Sequence, residues 1–214
     1  MAAIIHETPR ECDRRLAQYF NSTRSQWVDV VTAMVAARAS RGADSPKASP
    51  GYFAWDAGIT RMRQIFRREG WESGDDNGIE HIINRDFRRK ITVMNADAGV
   101  CDLSRSPRNR TLKGPAAEKI TDLNNQLDLF RREHPRQVKE NVFDLWQLCV
   151  FDDGKLVRAE LSRPIDFSSG YFIEYSERIW ILRPGEWERI AIKTLSESGG
   201  GDAGREIEIN IRRK

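Results

Sequence analysis

Cysteine and histidine are scarce in this chain. Three cysteines, Cys12, Cys101 and Cys149, stand among 214 residues. They are odd in number and far apart, which excludes a disulfide framework and offers no zinc-binding spacing. The three histidines, His6, His81 and His134, never form the paired HExxH pattern of a zinc protease. No apolar run approaches the length of a membrane span. The first ten residues (MAAIIHETPR) carry neither the charged leader nor the apolar stretch of a signal peptide. The expectation is a cytoplasmic protein with free thiols, no membrane partner and no cofactor. Also missing are a Gly-x-Ser-x-Gly elbow, a dinucleotide glycine fingerprint and any internal repeat. The glycine-rich stretch at 196–204 is not a phosphate loop, because no Lys-Ser/Thr pair follows it.

What is present is the composition of an ordinary globular protein, 39% hydrophobic and 31% charged, in a chain long enough to bury a core without staples. The net charge of +3 is too near balance to imply nucleic acid by itself. Its distribution says more: 24 basic against 19 acidic side chains in residues 1–140, and 11 against 13 in residues 141–214. A basic partner surface belongs to the first part.

The clearest structural signal is residues 142–164 (VFDLWQLCVFDDGKLVRAELSRP). An apolar run, an Asp-Asp-Gly turn and an alternating run read as a β-hairpin. A two-residue loop at Asp153-Gly154 suits a type I′ turn and pairs Asp152 with Lys155, Val150 with Val157, Leu148 with Ala159, Trp146 with Leu161 and Asp144 with Arg163. Trp146, Leu148, Val150, Val157, Ala159 and Leu161 then form a core face. Leu145, Gln147, Cys149, Phe151, Leu156, Arg158, Glu160 and Ser162 form a mixed face, either solvated, covered by a helix or lining a site.

Upstream, Thr8-Pro9-Arg10-Glu11 reads as a capped helix start. Trp27, Val30, Val31, Met34 and Val35 make one helical stripe, read as core. Residues 40–51 are loop. Residues 52–69 are helical, stopped by Gly70. An acidic turn holding Glu72, Asp75 and Asp76 ends in Asn77-Gly78, and Ile79, Ile82, Ile83 and Phe87 suggest a short helix. Residues 90–94 (KITVM) read as a strand. The following Asn95-Ala96-Asp97-Ala98-Gly99 has the front of a calcium loop, but Ser106 stands where the closing acid belongs, so it reads as a turn. Pro115 begins a helix with a narrow seam at Ile120, Leu123, Leu127 and Phe130. Residues 171–182, 186–194 and 206–212 read as further strands.

The fold class is therefore α+β. A helical part over about 1–138 packs on an antiparallel sheet of about five strands over about 139–214, as a single compact domain spanning residues 1–214.

Two chemistries are worth weighing. A metal-dependent nuclease of the restriction-endonuclease type places an acid on one strand and Glu-x-Lys on the next. Asp144 with Glu160-Leu161-Ser162 approximates this, but Ser162 replaces the lysine and the register sends Asp144 and Glu160 to opposite faces. Only Glu160, with Gln147 and Arg158 beside it, stays open as a catalytic candidate. The second chemistry is phosphate contact. Arg85, Arg88, Arg89 and Lys90 precede the strand at 90–94, and Arg105, Arg108, Arg110 and Lys113 follow it in a stretch with no acidic residue. Such a basic loop suits phosphate neutralisation without base readout. The leading expectation is a non-catalytic binding or accessory protein touching nucleic-acid phosphates through Arg88, Arg89, Lys90, Arg105, Arg108, Arg110 and Lys113. A protein-interaction or self-association module is the third reading, with Trp180, Trp187 and the 120–130 seam as apolar contact area.

Overall fold

The computed structural model describes residues 3–133 and 143–190. The elements in chain order are β1 (Ile4–His6), α1 (Pro9–Phe20), α2 (Arg24–Ala39), α3 (Ser49–Phe66), β2 (Glu72–Asp76), β3 (Ile79–Asn84), β4 (Arg89–Asn95), α4 (Pro115–Glu133), β5 (Asp144–Asp152), β6 (Val157–Ser168) and β7 (Tyr171–Leu182). The strands form one sheet of seven, ordered β1-β7-β6-β5-β4-β3-β2.

α1, α2 and α4 form where the pattern placed them. α3 begins at Ser49, inside the stretch 40–51 read as loop, and gives way to a 3₁₀ turn at Arg67–Glu69. Thr8 and Glu11 close a reciprocal capping box at the start of α1, with Pro9 in the first turn. Trp27, Val30, Val31 and Met34 are fully buried along α2, each contributing roughly 1.5–3 kcal/mol of transfer free energy. Gly70, at φ +80, ends the 3₁₀ turn that follows α3. Gly58 lets α3 sit close to α2 and the sheet, since a Cβ there would meet the Met34 side chain at 2.8 Å and Val93 at 3.0 Å.

The sheet differs from the expected one: it has seven strands and is mixed, not about five and antiparallel. β4 runs parallel to β5, and β1 runs parallel to β7. The short strand of the "helical" part is thus a central strand, and β4-α4-β5 is a parallel crossover unit. The region read as an acidic turn plus a short helix is the β2-β3 hairpin. Asn77 and Gly78 turn it, both at positive φ, the backbone that a type I′ turn demands. β2 (ESGDD) contains no apolar residue, so it gave no strand signal, and Ile79, Ile82 and Ile83 mimicked helical spacing. The strand expected at 186–194 is also corrected in part. Residues 187–190 form a helical turn, with the Ile190 amide donating to the Glu186 carbonyl, and the rest lies outside the described residues, as does 206–212.

The β5-β6 hairpin forms with a four-residue loop, pairing Asp152 with Val157, Val150 with Ala159 and Leu148 with Leu161. The loop is held by aspartate side chains: Asp152 accepts from the Gly154 amide at 2.8 Å, and Asp153 from the Lys155 and Leu156 amides at 2.9 and 2.8 Å. The offset from the expected register is two residues, so every side chain keeps its expected face. Trp146 faces α1, edge-on to Tyr19 and Phe20 at 5.9 and 5.2 Å. Leu145 and Gln147 face the other way, toward α4. The sheet therefore lies between α1–α3 on one face and α4 with the 96–114 loop on the other.

Candidate functional site

The loop joining β4 to α4 carries most of the predicted basic residues, and its conformation decides which of them are available. Its neck is closed by backbone. The Asp97 amide donates to the Arg108 carbonyl at 2.9 Å and the Arg110 amide to the Asn95 carbonyl at 3.0 Å, around an Ala96–Asn109 bridge. Between them residues 97–108 form an Ω-shaped excursion. Gly99 is required there, because a Cβ would lie 2.3 Å from the Ser106 carbonyl oxygen.

Glu160 anchors this excursion. Its carboxylate is wholly buried and takes four donors: Ser162 Oγ and Arg178 Nε on Oε1 at 2.6 and 2.7 Å, and the Cys101 amide and Arg178 Nη2 on Oε2 at 2.6 and 2.8 Å. Arg178 also donates to the Gly99, Asp102 and Arg105 carbonyls. Burial works against the Arg178 charge, and the bonded Glu160 carboxylate outweighs it, leaving the guanidinium above its ordinary pKa. A carboxylate whose lone pairs are all occupied holds a loop in place. Among the described residues no group of three or more His, Cys, Asp or Glu side chains is arranged to hold a metal. Asp144 is on the opposite face and pairs with Arg163 at 3.0 Å. Gln147 and Arg158 do share the face of Glu160, as expected. Gln147 is buried and accepts from the Tyr175 hydroxyl at 3.4 Å. Arg158 donates to the Ala98 carbonyl at 3.1 Å and lies 4.7 Å from the Phe151 ring.

The two basic groups do not converge. Arg88, Arg89 and Lys90 sit at the start of β4 and Arg105, Arg108, Arg110 and Lys113 beyond its end, so a seven-residue strand of roughly 20 Å separates them. The first group is built into the fold. Arg89 stacks 4.3 Å from the Tyr19 ring and donates to the Tyr19 carbonyl. Lys90 pairs with Asp76 at 2.5 Å, and Arg88 is half-buried in a turn at φ +53. In the second group Arg105 pairs with Asp102 at 2.9 Å. The Ser104 hydroxyl and amide, with Arg105, hold the Asp102 carboxyl down at about 2. Arg108 and Lys113 are exposed and make no ion pair among the described residues. Arg110 is exposed, donates to the Asp152 carbonyl at 3.1 Å and leans 5.8 Å from the Phe151 ring.

Arg38, which carried no sequence signal, joins this rim from the end of α2. It donates to Asn95 and pairs with Asp152 at 3.3 Å. Burial lowers its pKa, Asp152 works against that, and the nearby Arg110 charge lowers it further.

A cavity of about 320 Å³ lies beside the rim. It exists because β3 parts from β4: their ladder ends at Ile82–Ile91, and one step on, the Thr92 hydroxyl donates to the Glu80 carbonyl at 2.7 Å. The gap is lined by Asn77–Glu80 residues of the hairpin, by Trp55, by Thr92–Met94 of β4 and by the start of α4.

Comparison with known proteins gives no matching family model, no matching curated protein and no matching solved structure.

Proposed function

We propose that the protein is a non-catalytic binding protein whose rim at the carboxyl ends of β4 and β5 contacts the phosphates of nucleic acid. The carboxyl ends of parallel strands are where open sheets with crossover helices present ligands, and the basic loop begins there. The observation that carries the reading is how the acids of this region are engaged. Asp97 accepts from the Gly99 and Arg108 amides at 2.9 and 3.0 Å, Asp153 accepts from two turn amides, and Asp102 is taken by Ser104 and Arg105. The exposed cations Arg108, Arg110 and Lys113 are left facing solvent, with no carboxylate bound to them among the described residues. Phe151, flanked by Arg110 and Arg158, holds two of the guanidinium planes in place. The rim offers cations rather than a set of base-reading groups, so binding tolerates sequence and is governed by charge.

The test is an electrophoretic shift on generic DNA and RNA across a salt series. Binding that weakens steeply with salt, and weakens again on Arg108→Gln with Arg110→Gln, supports the reading. The absence of any shift at low salt contradicts it.

A further inference from the structure

The cavity beside α4 shares Lys113 with the rim, and the rest of its lining has a chemistry of its own. Gln147 is 1% exposed. Its side-chain oxygen takes the Tyr175 hydroxyl, while its amide nitrogen has no hydrogen-bond partner among the described residues and the residue lines the cavity. That nitrogen is not sealed in the core; it opens onto the cavity and can donate to an acceptor placed there. The first turn of α4 lines the same space. There the Ala117 amide is turned back to the Gly114 carbonyl. The Ala116 amide, in that first turn, has no carbonyl of its own helix to bond, and the positive end of the helix dipole adds to it. Lys113, the third polar group, is exposed and makes no ion pair among the described residues. The lining carboxylate, Glu80, is occupied by Arg63. Asn77 and Thr92 also line the cavity, the Thr92 hydroxyl being spent on the Glu80 carbonyl. The apolar walls include half-buried Trp55 and buried Met94 and Phe172.

We propose that this cavity binds a small aromatic molecule carrying one carboxylate or phosphate, with the anion on Lys113, the start of α4 and the Gln147 amide, and the ring against Trp55 and Phe172. The volume is at the small end of ligand sites, which suits a compact anion and excludes a folded peptide. Lys113 belongs to both the rim and the cavity, so Trp55 and Gln147, which line only the cavity, are the positions that separate the two readings.

Titration calorimetry on the full chain tests it, with 3-phenylpropionate and phenyl phosphate as separate probes and 3-phenylpropanamide as the neutral comparator. The expected result is saturable binding of at least one anion, about tenfold or more tighter than the amide. Which anion saturates identifies the acid group. Lys113→Met is expected to lower affinity for the anion and leave that for the amide unchanged. Trp55→Ala is expected to weaken both by about tenfold. Gln147→Leu is expected to weaken the anion, and the exposed and half-buried positions of Lys113 and Trp55 keep the test decisive if that variant fails to fold. The proposal is overturned if neither anion saturates, if the neutral amide binds as tightly, or if Lys113→Met and Trp55→Ala both leave binding unchanged.

Discussion

Asn124 supplies the hydrogen bonds that Pro164 cannot. The β5-β6 ladder ends at Gln147–Ser162. Its next two-residue step sets Leu145 opposite Pro164, which has no amide hydrogen. The fully buried Asn124 side chain enters there from α4. It donates to the Leu145 and Pro164 carbonyls at 3.0 and 2.9 Å and accepts from the Leu145 amide at 2.9 Å. One side chain thus ties the crossover helix to the end of the central hairpin. Asn124→Leu leaves three buried backbone groups unpaired and is expected to cost about 3 kcal/mol. Asn124→Asp keeps the acceptor and loses both donors, so it gives no rescue. Urea denaturation measures both. A loss under about 0.5 kcal/mol, the size of an ordinary surface change, would contradict this role.

Glu160→Gln tests the anchor of the Ω-shaped loop. Breaking a buried charge pair by removing one partner costs about 3–5 kcal/mol, and here the freed group is Arg178, 2% exposed. The predicted signature is local as well as global. Amides at 99–106 should gain hydrogen exchange ahead of those in β4 and β5. Uniform exchange across the chain would place the effect elsewhere.

Stability should fall as the medium is acidified past the ordinary histidine range. His81 is buried with its ring over Gly74, where a Cβ would meet Nε2 at 2.4 Å. Burial lowers its pKa from 6.5, and Lys90 and Arg63 add to this against Asp76 and the bond to the Ile79 carbonyl. Below 6.5 the unfolded chain therefore binds the proton that the folded chain resists. This stabilising term is complete above pH 6.5 and is lost as pH falls toward the depressed folded value. His81→Gln should flatten that part of the pH–stability curve. An unchanged slope on acidification below pH 6.5 would remove His81 as its source.

The three thiols should be inert in the folded protein. Cys12, Cys101 and Cys149 are all buried. Burial raises Cys12 to about 11 and carries Cys101 and Cys149 well above the ordinary thiol value, with the Glu160 charge adding to both of the latter. Iodoacetamide at about pH 8 should label none of the three without denaturant and all of them in it. Rapid labelling of Cys101 in native buffer would mean that the Ω-shaped loop opens readily.

The helices were legible because their signals are local: a capping box at Thr8, a stripe at 27–35, a glycine stop at 70. Face assignment in the hairpin was also legible, since a slip of two preserves alternation. The sheet order was not. β1 has three residues and β2 no apolar ones, and whether β4 pairs parallel with β5 depends on α4 crossing over, which no short window records. Arg38 stood as one polar residue near the end of α2, Asn124 stood in the polar run 124–126 of α4, and Arg178 stood among Glu174 and Glu177 in a strand. Their roles come from partners 57, 21 and 18 residues away.

The claim that the rim meets phosphates is tested most directly by the salt dependence of binding to a generic oligonucleotide. Removing one phosphate-binding cation reduces the slope of log K against log salt by about one. Arg108→Gln combined with Arg110→Gln is predicted to lower the slope by about two, while Arg85→Gln, exposed at the opposite end of β4, leaves it unchanged. An unchanged slope in the double variant, or an equal fall on Arg85→Gln, would contradict the account.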